Sequence, residues 1–205
     1  MSARPHIIGL TGSIGMGKST TAQMFADEGV PVFNADAEVH RLYGRGGRAV
    51  PLIRAVFPDA VEDGAVVRER LAAHMRSDPL NLEVLESFIH PMVGEARQAF
   101  LEANAHAPAI LFDIPLLFET GGEARVDTVV VVTCSLETQK KRVLARPGMT
   151  EEKFRFILSQ QVPDIEKRAR ADFVISTENG LGAARDSVRG VLASLGLTHG
   201  RGHDS

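Results

Sequence analysis

The sequence predicts an α/β fold, an open five-stranded parallel sheet with helices on both faces. Three observations predict it. Short β-rich runs alternate with segments of helical spacing, the order that a parallel sheet with crossover helices requires. The first run, His6–Thr11 (HIIGLT), stops at Gly12 and feeds through a glycine-rich turn into a helix. Val129–Val132 is an unbroken β-branched run, the mark of a strand buried on both faces.

The elements follow in order. After the first strand (residues 6–11), Lys18–Glu28 carries Ala22, Phe25 and Ala26 at helical spacing, and Gly29 is a stop signal. A second strand is expected over 30–34. Asp36 sits where a helix cap would, ahead of Val39, Leu42 and Tyr43. Residues 51–105 read differently. They hold helical patterns (Leu82, Leu85, Ile89, then Met92, Val93, Ala96, Phe100) and no convincing strand, with a kink or a new helix expected at Pro91. Strands return at 109–113 and 127–133. A helix is expected over 149–161, between Pro147–Gly148 and Pro163, and a last strand over 172–176. Leu181, Ala184, Val188, Val191, Leu192 and Leu195 line one face of a final helix. The tail from His199 is polar, and a frayed end over 200–205 is expected. The expected organisation is a core of 1–50 and 106–199, a lid at about 140–165 within it, and a helical insertion over 51–105.

Composition narrows the function classes. A chain of 205 residues suits one domain with a small insertion, and 44% apolar residues can form a core. With 23 basic against 26 acidic residues, the net charge of −3 argues against a nucleic-acid binder. The single cysteine, Cys134, allows no intrachain disulfide and fits a reducing, cytoplasmic setting. No apolar run reaches the about 18 residues of a membrane span, and Met1–Pro5 is too short for a signal peptide. A monomer or weak homo-oligomer is expected.

Gly12-Ser13-Ile14-Gly15-Met16-Gly17-Lys18-Ser19 fits G-x-x-x-x-G-K-[ST] without a mismatch, and Thr20 follows. Glycines let the backbone wrap phosphate oxygens with inward N–H groups, and the helix opening at Lys18 adds its positive end. Lys18 supplies a mobile charge to the β/γ-phosphates of a nucleotide; Ser19 places a hydroxyl on Mg²⁺. The motif follows a strand and opens a helix, the context it requires. It specifies a nucleotide and leaves the reaction open. No Asn-Lys-x-Asp guanine-reading motif occurs, so a GTP switch is disfavoured. A small-molecule kinase needs three further parts: an orienter for the acceptor hydroxyl, an acceptor-binding insertion and a cationic lid.

Each part has candidates, weighed against a plainer role. Asp36, at the carboxyl edge of the sheet, can take a proton from an acceptor hydroxyl or can simply cap its helix, and the two rank equally. Asp113 ends an apolar strand, a place for an acidic residue near Mg²⁺, directly or through water. Arg142 and Arg146 stand four apart and would share a helical face before the Pro147–Gly148 hinge. They can stabilise a transferred phosphoryl, but with Lys140 and Lys141 beside them a solvated face is the simpler reading. His90 usually packs or caps in such a setting, Arg68 and Asp63 are ambiguous in the same way, and Cys134 reads as a core residue.

Several segments together resemble the dephospho-coenzyme A kinase family. They are Gly9–Thr20, Asn34-Ala-Asp36, Asp63-Gly64 with Arg68 and Leu71, Ile89-His90-Pro91, Asp113–Glu119, Gln139 with Arg142 and Arg146, Gln161, and Arg170–Ile175. The resemblance runs over about residues 6–176, and its specific parts are the Pro-Leu-Leu-Phe-Glu run and the His-Pro pair. It implies a P-loop NTPase fold and ATP-dependent phosphorylation of the ribose 3′-hydroxyl of dephospho-CoA, the last step of coenzyme A synthesis. It also implies that Asp36 is the base or orienter, that Arg142 and Arg146 are lid or phosphate residues, and that Arg68, His90, Pro115, Leu116, Leu117 and Glu119 belong to the acceptor side. Asn34 stands where the family often has Asp, Ser13 where it often has Gly, and the family often has Asn near Thr177. Within the kinases the alternative is a nucleoside monophosphate kinase; outside them, a nucleotide-dependent regulatory protein, which Asp36 and the paired arginines argue against.

Overall fold

The computed structural model describes residues 4–197, so the expected frayed tail over 200–205 lies outside the described residues. In chain order the elements are β1 (His6–Thr11), α1 (Lys18–Asp27), β2 (Val32–Asn34), α2 (Ala35–Tyr43), α3 (Val50–Val56), β3 (Val61–Glu62), β4 (Ala65–Val66), α4 (Arg68–Ser77), α5 (Leu80–Ala103), β5 (Ala109–Asp113), β6 (Thr128–Thr133), α6 (Leu136–Leu144), α7 (Glu151–Ser159), α8 (Asp164–Ala169), β7 (Phe173–Ser176) and α9 (Gly180–Ser194). They divide into two compact units, one of the residues up to Phe33 with those from Asn104 on, the other Asn34–Ala103.

The first unit is built on a five-stranded sheet in the order β2-β5-β1-β6-β7. β1 pairs parallel with β5 and β6, and β6 parallel with β7. β1 connects through α1 to β2 on one side of it, and β5 is followed by β6 on its other side, so the strand order changes direction beside β1 and its carboxyl end is a switch point, where ligands of such sheets bind. The valine run of β6 explains itself by register. Val130 and Val132 join the cluster of Ile8, Leu10, Phe25, Leu111, Ile175, Val188 and Leu192, while Val129 and Val131 join Leu117 and Phe118 on the other face. Successive side chains alternate, so a strand covered on both sides must be apolar throughout. α1 ends as predicted. Gly29 has φ 84°, its N–H bonds Ala26 O at 2.9 Å and the Val30 N–H bonds Phe25 O at 3.1 Å, a left-handed glycine stop.

The second unit has its own core of Leu42, Ile53, Phe57, Leu71, Leu85 and Ile89. It begins at Asn34, well before the expected residue 51, because α2 gives Leu42, Val39 and Tyr43 to this core. It also contains strands, where none was expected. β3 and β4 pair antiparallel around Asp63–Gly64, whose φ values of 48° and 78° form the left-handed two-residue turn that Asp-Gly favours. Nor does Pro91 divide the chain: α5 runs through it as one helix of 24 residues. Proline removes one bond, to the Ser87 carbonyl, but Ile89 before it and Met92 and Val93 after it pack on the same core. Among the described residues, no helix is long and apolar enough to cross a membrane.

Candidate active site

The glycine-rich loop joins β1 to α1, and close packing dictates its glycines. A Cβ on Gly12 would lie 2.7 Å from the Val132 carbonyl oxygen. On Gly15, which has φ 79°, it would lie 2.5 Å from Val143 Cγ2. Any L side chain there meets both a clash and a left-handed backbone. Gly17 is the N-cap of α1 and supplies no side-chain cap, so the first-turn N–H groups keep their anion-binding capacity. Lys18 forms an ion pair with Asp113, whose side chain is 1% exposed, at the end of β5. Asp113 therefore holds the loop's lysine, a partner that sequence reading did not assign to it. Ser19 and Thr20 are exposed at the start of α1.

Side chains from distant segments brace this loop. The Ile14 N–H donates to Gln161 Oε1 at 3.2 Å, and Gln139 Nε2 donates to the Ile14 carbonyl at 2.8 Å. The buried Thr177 hydroxyl donates to the Met16 carbonyl at 2.8 Å. Arg142 Nη1 donates to that hydroxyl at 2.7 Å and Nη2 to the Thr177 carbonyl at 2.8 Å. Thr177, noted in the sequence only as a departure, thus links the loop to Arg142. Cys134 is buried with Sγ 3.4 Å from Met16 Sδ, and burial pushes its thiol pKa up, as a core residue's should be.

The two arginines part company. α6 stops at Leu144 with C-cap Ala145, so Arg146 lies beyond the helix in an exposed bend and shares no helical face with Arg142. Arg142 is half-buried rather than on a solvated face.

The run after β5 is also divided. Leu117 is fully buried and belongs to the core, not to an acceptor surface. Glu119 faces inward as well. Its Oε1 accepts from the Val162 N–H at 2.8 Å and lies 2.9 Å from Nζ of the fully buried Lys167. Burial alone would raise the Glu119 pKa, but Lys167 and the backbone N–H groups of Glu119 and Val162 hold it below the usual carboxylate range. Pro115 is half-buried, its carbonyl accepting from Thr11 Oγ1 at 3.2 Å. Leu116 is 42% exposed.

In the second unit, Asn34, not Asp36, caps α2. Its side chain accepts from the Ala37 N–H at 2.8 Å, which leaves Asp36 exposed in the first turn without the capping role. Arg68 opens α4 with its guanidinium carbon 5.7 Å from the Tyr43 ring centre. Burial raises the Tyr43 hydroxyl pKa, and Arg68 partly opposes this. His90 is exposed on α5, neither packed nor capping. Asp63 is the turn residue of the hairpin.

The family model for dephospho-CoA kinase matches residues 6–182. A dephospho-CoA kinase of Agrobacterium fabrum is 56% identical, over 93% of this chain and 98% of its own. One from Mesorhizobium japonicum is 55% identical, over 92% and 96%. Among solved structures, a Thermus thermophilus protein superposes with a TM-score of 0.80 at 36% identity, covering 97% of this chain and 100% of its own. A dephospho-CoA kinase from Campylobacter jejuni (TM-score 0.66, 21% identity, covering 94% and 98%) shares the fold. The loop, the sheet that carries it and Asp113 all lie inside the matched span, and the chain belongs to the dephospho-CoA kinase family.

Proposed function

We propose that this kinase transfers the γ-phosphoryl group of ATP to the ribose 3′-hydroxyl of dephospho-CoA, giving coenzyme A and ADP. The observation that carries the proposal is the family match over residues 6–182, supported by the glycine-rich loop that runs into the uncapped N-terminus of α1. The loop N–H groups and the end of α1 receive the β- and γ-phosphates. Lys18, held by Asp113, has N–H donors to spare for phosphate oxygens. Arg142 and the exposed Arg146 add guanidinium charge against the transferred group.

Among the described residues, no three His, Cys, Asp or Glu side chains gather as a ready-made metal cage. That fits Mg²⁺, which takes one or two protein ligands and completes its shell with phosphate oxygens and water. The Ser19 hydroxyl and the buried Asp113 carboxylate would hold it, and it would offset phosphate charge.

Asp36 receives the proton of the 3′-hydroxyl or aligns it for attack. Its exposure and its release from capping support this. Arg68, His90, Pro115 and Leu116 remain for the acceptor. The enzyme acts in the cytoplasm on a small molecule, as a monomer or weak homo-oligomer. The test is Asp36→Ala: turnover falls more than tenfold while ATP binding stays nearly intact. Unchanged turnover removes Asp36 from the mechanism.

A further inference from the structure

The two peptides that flank one residue of the phosphate loop, Ile14, are each gripped by a glutamine to which the kinase reading assigns no role. Ile14 lies between Gly12 and Gly15. Its N–H donates to Gln161 and its carbonyl accepts from Gln139. Gln139 is 2% exposed and sits on α6; Gln161 sits in the link between α7 and α8. The two amides therefore bracket α7 in sequence and meet at the same residue.

Peptide planarity gives the grip its consequence. In a trans peptide the C=O and N–H point in opposite directions. Holding the Ile14 carbonyl on Gln139 fixes the plane of the Ile14–Gly15 peptide and so aims the Gly15 N–H away from Gln139. Holding the Ile14 N–H on Gln161 fixes the Ser13–Ile14 plane, whose carbonyl accepts from the Met16 N–H at 3.2 Å. Fixing is needed here because Gly15, at φ 79°, is the residue type that moves between positive and negative φ at little cost. Gln161 is itself anchored. The next residue, Val162, donates to Glu119, and Lys167 on α8 lies against the same carboxylate.

We propose that Gln139 and Gln161 are positioning residues that hold both peptide planes flanking Ile14, so that the loop is preorganised for phosphate and tied to both ends of the α7 segment. Neither side chain touches the nucleotide; each acts through the loop backbone. The proposal rests on the loop being the phosphate cradle of ATP.

The test is calorimetric titration of the full-length enzyme and of Gln139→Met, Gln161→Met and the double variant with ATP, ADP and adenosine, thermal melting serving as the folding control. Each single variant is expected to weaken ATP and ADP about tenfold, the scale of one lost hydrogen bond, and to leave adenosine unchanged. The double variant is expected to lose less than the product of the two, because both amides act on one residue. Folded variants that bind ATP as the parent does, or weakening equal for adenosine and ATP, or losses that simply multiply, would overturn the proposal. If Gln139→Met does not fold, the half-buried Gln161 still decides it through the adenosine-to-ATP comparison. A parent enzyme that does not bind ATP would refute the cradle reading instead.

Discussion

Replacing Glu119 by Gln removes the counter-charge of a lysine that has no access to water. The Lys167 side chain is 0% exposed, Glu119 is 14% exposed, and the pair lies at 2.9 Å. The amide keeps an oxygen for the Val162 N–H, so the substitution isolates the charge. Leaving one member of a buried ion pair uncompensated costs about 3–5 kcal/mol. At roughly 2–4 °C per kcal/mol for a chain of this size, the midpoint falls by about 6–20 °C. Adding Lys167→Met should recover most of that, because it removes the uncompensated buried charge and fills a similar volume. Thermal and urea unfolding of the parent, both singles and the double variant form a complete cycle. A Glu119→Gln midpoint within about 2 °C of the parent, or a double variant as unstable as the single, would refute the buried pair.

Gly15→Ala forces a left-handed alanine with its Cβ 2.5 Å from Val143 Cγ2 on a fully buried valine. The backbone strain alone is about 1–2 kcal/mol, and ATP affinity measured by calorimetry should fall at least about tenfold; an unchanged affinity contradicts the close packing of α6 on the loop. Asp127 is held at a pKa of about 2, against an ordinary 3.8, chiefly by its hydrogen bond from Arg4, with the Ile7 N–H adding to it. A depressed carboxylate stabilises the fold above its unfolded pKa and loses that contribution as pH falls. Urea unfolding of Asp127→Asn should therefore differ from the parent at pH 5 and converge with it between pH 3.8 and about 2; a constant gap across that window removes the pair from the account.

Much of the fold is legible in the sequence where local signals and burial agree. The strand before Gly12, the stop at Gly29 and the valine run of β6 each carry their own physical reason. Two-residue strands do not, since β3 and β4 are too short for alternation and only the Asp63–Gly64 turn marks them. At Pro91 the local rule loses to packing on both sides of the proline. The spacing of Arg142 and Arg146 misleads because the helix ends between them. Asn34 takes the cap because it sits outside the helix in extended conformation (φ −117°, ψ 109°), whereas Asp36 is already in the first turn. Of the site, the phosphate loop and Lys18 can be read directly, since their chemistry demands their spacing. Its braces Gln139, Gln161 and Thr177 cannot. They are neutral side chains whose partners lie more than a hundred residues away in sequence.

The most direct test is release of ADP by the purified enzyme with ATP and Mg²⁺, with dephospho-CoA, AMP, CMP or no acceptor added, followed by mass spectrometry and phosphorus NMR of the product. The account predicts one ADP per dephospho-CoA consumed and a new phosphomonoester on the ribose 3′ position. ADP formation without an acceptor, or faster transfer to AMP or CMP, would contradict it.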